Sequence, residues 1–118
     1  EGVMQAAVHL AQQIDAAALV VTTVSGGAAR AAAKYRPRLP VIALSEDQRV
    51  RRQLALEWGV VPGRLPPRPA SAEELAAVML ERARVVGGLE GHDLVVLVHG
   101  PPGADGGQTN TITVRRVP

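Results

Sequence analysis

The feature of this sequence that most constrains the fold is an alternation of short apolar runs with longer segments of helical periodicity. The clearest apolar runs cover residues 18–23, 41–44 and 94–98. Short, nearly continuous runs of this kind are typical of strands that are buried on both faces of a parallel sheet. Parallel strands need long crossover connections, and segments with helical spacing lie between these runs. The pattern therefore predicts an α/β domain.

The order of the segments makes this prediction more specific. We predict helices over residues 1–15, 25–35, 45–58 and 71–86, and strands over residues 18–23, 41–44, 60–61, 94–98 and 109–117. Only the last strand follows its predecessor without a helix between them, so it is predicted to be antiparallel and to lie at a sheet edge. We expect one domain over residues 1–118, a three-layer domain with a five-stranded, mostly parallel sheet and helices on both faces.

Two of the predicted helices begin with a capping box, in which a hydroxyl residue is followed three positions later by Glu or Gln. Ser45 and Gln48 form one such pair, and Ser71 and Glu74 form the other. We therefore expect Ser45 and Ser71 to be the N-cap residues of their helices.

The helix that begins near residue 45 is expected to carry Val50, Leu54 and Trp58 along one side and to end at Gly59. The strand after it is expected to cover no more than residues 60–61, because four prolines in residues 62–70 predict an irregular loop.

The residue types exclude several classes of protein. The apolar runs are far shorter than the ~18 residues that cross a bilayer, so we expect no membrane partner, and the opening residues lack the pattern of a signal peptide. The chain has no cysteine, which excludes disulfides and cysteine-ligated zinc and fits a cytoplasmic protein. Because His9, His92 and His99 lack the spacing of metal ligands, we predict no metal site and no cofactor.

The charge balance raises the question of nucleic-acid binding. The formal net charge is only +2, and just 2% of the residues are aromatic, which leaves little to stack on bases. An alanine- and arginine-rich composition explains the balance, and Arg49, Arg51, Arg52 and Arg64 are interpreted as a solvated face. We expect no nucleic-acid partner, and a nucleic-acid-binding module remains an alternative of low weight.

The best candidate site is the segment TTVSGG, at the carboxyl end of the first predicted strand and the start of a helix. Open α/β sheets bind ligands at this edge, and a helix N-terminus offers N–H groups and a partial positive charge to a phosphate. The hydroxyls of Thr22, Thr23 and Ser25 would add donors. Gly26 and Gly27 would let a ligand approach the backbone. On the alternative interpretation, Ser25 is only a helix cap and the glycines only form a turn, since no known phosphate-loop motif is present.

A second candidate is the glycine- and proline-rich loop of residues 100–107, which also follows the carboxyl end of a predicted strand. If this strand and the strand of residues 18–23 are neighbours, the two loops border one crevice. On the alternative interpretation, the loop is a solvated connection without a function. His99 is the histidine that lies nearest to this loop.

Nearly the whole chain, taken in order, resembles one known family. The stretch LVVTTVSG, followed by KYRPRLPVIA, resembles the most recognisable part of the C-terminal domain of pyruvate kinases. AAVHLA near the start, QLALEWGV in the middle, and GHDLVVLV with the closing TNTI resemble other parts of that domain. The SG, KYRP and TNT motifs are specific when they occur together.

The resemblance implies a regulatory domain whose catalytic barrel lies upstream and acts on phosphoenolpyruvate, ADP and metal ions. It also implies a five-stranded sheet flanked by helices, a subunit interface and, in many members, a site for a phosphorylated allosteric effector. The phosphate of the effector would lie against residues 23–28, and the loop before TNT would fold over it. The candidate effector-binding residues therefore also include Gly103, Asp105, Gly106 and Thr109.

The sequence departs from the family pattern at this candidate site. Many members have Ser or Thr where this chain has Ala28, and an Arg or another polar residue where it has Gly27. Members regulated by a sugar bisphosphate also carry a Trp and an Arg for a second phosphate, and no matching Trp occurs in residues 62–88. We therefore expect weak phosphate binding and no fructose-bisphosphate site.

These observations favour a regulatory and assembly domain of a pyruvate kinase that carries no catalytic residues itself. The expected partners are a small phosphorylated metabolite, the catalytic barrel if the chain belongs to a longer one, and further copies of the chain. Self-association is expected through one helical face, and residues 2–15 and 26–33 carry few charges. The alternative is a stand-alone or differently fused relative that binds a small phosphorylated metabolite or only mediates oligomerisation.

Overall fold

Helices and strands alternate along the chain until the last two strands. The computed structural model describes residues 2–67, 71–100 and 111–118. Its elements are α1 (Gly2–Gln13), β1 (Ala18–Thr22), α2 (Gly27–Lys34), β2 (Val41–Ser45), α3 (Gln48–Leu54), β3 (Val60–Arg64), α4 (Ala72–Gly87), β4 (Leu94–His99) and β5 (Thr111–Arg116). The predicted order of elements is confirmed.

All five strands belong to one sheet, in the order β3–β2–β1–β4–β5. β1 pairs in parallel with β2 and β4, and β2 pairs in parallel with β3. β5 pairs with β4 in antiparallel orientation and lies at the edge. The predicted five-stranded, mostly parallel sheet with an antiparallel last strand is therefore confirmed.

Both faces of the sheet are covered by helices. Leu19 and Val21 of β1 belong to a buried cluster with residues of α1, α2 and α3, whereas Ala18 and Val20 belong to a second cluster with residues of α4. Successive strand residues point to opposite faces, so a strand between two helical layers is apolar at every position. Burial of each Leu or Val contributes about 1.5–3 kcal/mol, and these two clusters hold the three layers together.

The strand β3 is longer than the sequence predicts. It covers Val60–Arg64 and includes Pro62 and Gly63, which fall in the predicted loop. The prediction was wrong because it treated Pro62 as the end of the strand. β3 is an edge strand, and a residue without an N–H is tolerated where one side of the strand has no partner to accept from it. A Cβ on Gly63 would lie 2.9 Å from Leu44 Cδ2, so glycine allows the close packing seen here.

The start of α3 corrects the predicted capping box. Ser45 is not the N-cap, because it is the buried last residue of β2, and its Oγ accepts a hydrogen bond from Asp47 N at 3.2 Å. Asp47 is the N-cap, and its Oδ1 accepts from Arg49 N at 2.8 Å. Pairing with β3 keeps Ser45 in the sheet, so the helix begins later than the spacing of hydroxyl and Gln suggests.

The end of α3 is also earlier than predicted. Val50 and Leu54 are buried, but the helix ends at Leu54, and Trp58 is 66% exposed. The guanidinium of Arg36 lies 5.6 Å from the centroid of the Trp58 ring. Gly59 has a φ of 77° in the turn before β3 and is not the residue that ends α3. The four-residue spacing predicted that Trp58 lies on the same side of α3 as Val50 and Leu54. This prediction was wrong because the helix ends at Leu54.

The predicted start of α4 is confirmed. Ser71 is the N-cap, and its Oγ accepts from Glu74 N at 3.1 Å. The helix ends at Gly87 and is followed by Gly88, whose φ is 65°. At the other end of the chain, α1 stops at Gln13, two residues before the predicted end.

Candidate functional site

The direction in which the chain adds strands changes between β1 and β4. From β1 the chain moves to β2 and β3, and it then returns through α4 to β4 on the other side of β1. In open α/β sheets, the carboxyl ends of the strands at such a switch border a crevice where ligands bind. Thr22 and His99 are the last residues of these two strands. The two strands that precede the candidate loops are therefore neighbours.

The turn between β1 and α2 is shaped by its own hydrogen bonds. Thr23 is buried, its N–H donates to Leu44 O at 3.0 Å, and its Oγ1 accepts from Gly26 N at 2.9 Å. Gly26 has a φ of 96°, in the left-handed region that glycine adopts without a steric penalty. The chain thereby passes from the strand to the helix, and Gly27 is the first helical residue.

The N-terminus of α2 has no side-chain cap. Gly26 is the N-cap, and the first helical hydrogen bond runs from Arg30 N to Gly26 O at 2.9 Å. The N–H groups of Gly27, Ala28 and Ala29 therefore have no acceptor within the helix. No acidic residue lies in the first turn. Ala29 is buried, whereas Gly27 is exposed and Ala28 half-buried. This turn therefore offers the N–H groups of Gly27 and Ala28, and the positive end of a helix dipole, to an anion.

Ser25 stands beside these donors but does not cap the helix. The structure has Gly26 at the cap position without a side-chain hydrogen bond, so the interpretation of Ser25 as a plain N-cap is wrong. Ser25 is exposed, and a Cβ on Gly27 would lie 3.7 Å from Ser25 Oγ. The hydroxyl thus lies close to the first helical residue, where there is also room for a side chain on Gly27.

The hydroxyls of Thr22 and Thr23 are not brought together with that of Ser25. Thr22 shares a face of the sheet with Val20, which packs in the cluster of α4, whereas α2 covers the other face. The Oγ1 of Thr23 is engaged within the turn. Of the three predicted hydroxyl donors, Ser25 is therefore the one that faces the open end of α2.

The second candidate loop lies mostly outside the described residues, and so do Gly103, Asp105, Gly106 and Thr109. The structure describes the residues that lead into it. His99 is buried, and its Nδ1 lies 2.7 Å from Gly100 O.

Sequence reasoning missed Arg30. Its side chain folds back from α2, so that Nη1 lies 3.3 Å from Ser25 O and Nη2 lies 3.4 Å from Gln53 Oε1. Its Nε lies 3.8 Å from Glu57 Oε2. The side chain thus places a positive charge next to the turn. The available signal was an arginine one helical turn after Gly26, a spacing that puts the two residues on the same side of the helix.

A depression of about 210 Å³ between α4 and the C-terminal residues is a second surface feature. It is lined by Glu73, Ala77, Leu80, Glu81, Arg84, Arg115 and Pro118. Its charges pair with one another: Arg84 Nη2 lies 2.8 Å from Glu81 Oε2, and Arg115 Nη2 lies 3.6 Å from Glu73 Oε2. The hydrogen bond from Arg84 lowers the pKa of Glu81. Because its charges are satisfied locally, this depression is a weaker candidate than the turn.

Neither a metal centre nor a membrane span is found in the described part of the chain. Within residues 2–67, 71–100 and 111–118, no three His, Asp or Glu side chains converge in a way that could hold a metal ion. None of the helices in these ranges combines the length and the apolar character that crossing a bilayer requires.

The fold and the turn at its switch point define a doubly wound α/β domain that presents an open helix N-terminus at the carboxyl edge of the sheet. Among known families, the one described as "Pyruvate kinase, alpha/beta domain" matches residues 1–115. The chain belongs to this family, and the resemblance found in the sequence is confirmed.

Individual relatives agree with the family match. The chain is 37% identical over 114 residues to a pyruvate kinase of Geobacillus stearothermophilus, covering 97% of this chain and 19% of the relative. It is 36% identical over 107 residues to a pyruvate kinase of Clostridium acetobutylicum, covering 91% and 22%. For a pyruvate kinase of Agrobacterium vitis, the identity is 37% over 112 residues, covering 95% and 23%. The chain thus spans about a fifth of the length of these relatives.

Proposed function

We propose that this chain is the regulatory and assembly domain of a cytoplasmic pyruvate kinase and that its turn after β1 weakly binds a phosphorylated effector. The observation that carries the effector site is the uncapped N-terminus of α2, where the N–H groups of Gly27 and Ala28 have no acceptor in the helix and the Ser25 hydroxyl lies close to Gly27. Membership of the pyruvate kinase family supports the regulatory role.

The affinity is expected to be nearer millimolar than micromolar. The helix dipole contributes roughly 0.3–1 kcal/mol at an exposed site, and a neutral donor such as Ser25 adds about 1 kcal/mol. Gly27 carries no charged side chain and Ala28 no hydroxyl. A charge-assisted hydrogen bond from a side chain at position 27 would have added about 1.5–3 kcal/mol, which corresponds to a factor of about ten to a hundred in affinity.

Backbone amide NMR of the chain titrated with ribose 5-phosphate, AMP and inorganic phosphate tests this site. Shifts in residues 23–29 that saturate near millimolar ligand are expected. If these amides stay still while others move, the proposed site is wrong.

Gly27 offers a matched pair of variants for the same experiment. It is exposed, and a Cβ there meets nothing closer than 3.7 Å, so a side chain can begin at this position without a clash. Gly27→Lys adds a cation and is expected to raise the phosphate affinity by about tenfold. Gly27→Glu places a carboxylate at the same point and is expected to abolish the shifts. Equal affinities for the two variants would contradict an anion site at this turn.

The assembly role is proposed for the outer face of α1. No Asp, Glu, Lys or Arg occurs in residues 2–14, and Gln5, Ala6 and His9 are exposed. Most homo-oligomers are two-fold, so one such patch suffices for a dimer. Light scattering at about 100 μM, a concentration chosen to detect weak contacts, is expected to give a mass above that of the monomer.

A pair of Ala→Glu variants tests which face is used. Ala6→Glu adds a charge to the α1 face and is expected to return the mass to that of the monomer, while Ala77→Glu adds the same charge on the exposed side of α4 and is expected to leave it unchanged. A wild-type monomer at this concentration, or equal effects of the two variants, would count against the α1 interface.

The catalytic role is proposed to reside in the parts of a pyruvate kinase that this chain does not include. The chain spans about a fifth of the relatives' length, and phosphoryl transfer needs bound metal ions and a positioned nucleophile. The purified chain is expected to form no ATP from ADP and phosphoenolpyruvate. A constant rate of ATP formation per mole of chain would contradict this assignment.

A further inference from the structure

Arg30 contacts both the turn and the segment that ends α3. One guanidinium nitrogen lies 3.3 Å from Ser25 O, a second lies 3.4 Å from Gln53 Oε1, and Nε lies 3.8 Å from Glu57 Oε2. Gln53 belongs to α3, and Glu57 lies in the turn that follows it. A single side chain therefore bridges the proposed effector site and a different part of the helical layer.

The absence of a side chain at Gly26 makes this bridge possible. A Cβ at this position would lie 2.8 Å from Nη1 and 3.1 Å from Cζ of Arg30. The guanidinium thus packs across the backbone of the turn. Gly26 has two roles here: it adopts the left-handed backbone conformation, and it leaves space for Arg30.

The contacts of Arg30 are long and exposed, which makes them easy to exchange. Good N–H···O hydrogen bonds have donor–acceptor distances of about 2.7–3.2 Å, and every contact of this guanidinium is longer. The side chains of Arg30 and Glu57 are 42% and 40% exposed. A phosphate would accept two parallel hydrogen bonds from the planar guanidinium, which is a better arrangement than the present one.

We propose that Arg30 links the turn to the end of α3, and that a bound oxyanion competes with Glu57 for its guanidinium. The link stands on the contacts alone, whereas the competition rests on the effector site proposed above. Occupancy of the turn would then release Glu57, the neighbour of the chain's one tryptophan, Trp58.

The link is tested without any anion, by amide NMR of the 118-residue chain. Arg30→Gln is expected to shift the amides of residues 25–27 and of residues 53–58 together. Lys34→Gln removes a positive charge from the exposed end of the same helix and is expected to leave both groups in place. If the amides of residues 53–58 stay in place in Arg30→Gln, the link is overturned.

The competition is tested by phosphate titration of four proteins at constant ionic strength: the wild type, Arg30→Gln, Glu57→Gln and the double variant. Arg30→Gln is expected to lower the affinity by about tenfold, and Glu57→Gln to raise it by about two- to fivefold. Because Glu57 acts through Arg30, Glu57→Gln should have no effect when Arg30 is already Gln. Glu90→Gln, an exposed carboxylate elsewhere, should match the wild type.

The outcomes separate the two proposals. The same gain from Glu57→Gln in both backgrounds would mean that Glu57 only repels the anion through space, and the competition would be overturned. If the wild-type turn amides do not respond to phosphate, both the effector site and the competition are overturned. The link between the turn and α3 is still decided by the variant spectra recorded without phosphate. Trp58 fluorescence is a second readout: it should change on phosphate addition in the wild type but not in Arg30→Gln.

Discussion

The first turns of α2 and α4 are built in opposite ways. At α4, the Ser71 side chain accepts from Glu74 N at 3.1 Å, and Glu73 and Glu74 place two acidic residues at the positive end of the helix dipole. At α2, the N-cap is Gly26 without a side-chain hydrogen bond, and the first turn contains no acidic residue. A side chain therefore caps the first turn of α4, whereas no side chain accepts a hydrogen bond from the first turn of α2.

This difference shows what each helix start can do. A helix N-terminus with its own cap and its own negative charges is stabilised internally and repels an anion. A helix N-terminus without them relies on water or a ligand for its N–H groups. The comparison therefore predicts that changes at α4 affect mainly stability, and that changes at the α2 turn affect mainly anion binding, with Gly26 as the exception.

The largest stability effect is expected at Gly26. Gly26→Ala forces a side chain into a φ of 96° and places its Cβ 2.8 Å from Arg30 Nη1, so we expect a loss of about 1–3 kcal/mol. Gly27→Ala is the control, because its Cβ meets only Ser25 Oγ at 3.7 Å, and its stability should stay within about 0.5 kcal/mol of the wild type or rise. Chemical denaturation measures both. Equal losses would show that the backbone of Gly26 is not special.

A smaller effect is expected from the two serines. Ser71→Ala removes the cap of α4 and should lower the free energy of unfolding by about 1 kcal/mol. Ser25→Ala removes no cap and should stay within about 0.5 kcal/mol of the wild type. Thermal unfolding of the two variants compares them directly. A loss at Ser25 as large as the loss at Ser71 would mean that Ser25 does cap α2.

The smallest effect concerns the ion pair of Glu81 and Arg84 on α4. Their hydrogen bond lowers the pKa of Glu81 from its usual value of 4.5, so the pair stabilises the fold above that pH, and this contribution is lost as the pH falls through the lowered pKa. The effect is small because both side chains are exposed. The difference in melting temperature between wild type and Glu81→Gln should be slight at pH 7 and disappear on acidification. A difference that grows on acidification would contradict this assignment.

The layers of the fold are predictable from the sequence because they depend on local pattern. Leu94–His99 is almost wholly apolar because it lies between two helical layers, and Ser71 with Glu74 marks the start of α4 in the sequence itself. Pro62 was misread because its tolerance depends on β3 being an edge strand. The order of the strands in the sheet depends on contacts between distant segments, so no local segment predicts it.

The candidate site was predictable only in part, for a similar reason. The turn could be located from a strand, a Ser-Gly-Gly sequence and a helix in succession. Which hydroxyl faces the helix end, however, depends on the pleat that separates Thr22 from Thr23 and on the turn geometry that occupies the Oγ1 of Thr23. The contacts of Arg30 with Gln53 and Glu57 could not be predicted because they arise from the packing of α2 beside α3.

The proposed anion site distinguishes the N-terminus of α2 from that of α4. The most direct measurement is a titration of the chain with inorganic phosphate at pH 7 and constant ionic strength, in which the amides of residues 27–29 and 72–74 are followed in the same spectra. The amides of residues 27–29 are expected to shift and to saturate near millimolar phosphate, while those of residues 72–74 stay still. Equal responses at the two helix starts, or a response at residues 72–74 alone, would contradict the proposed anion site.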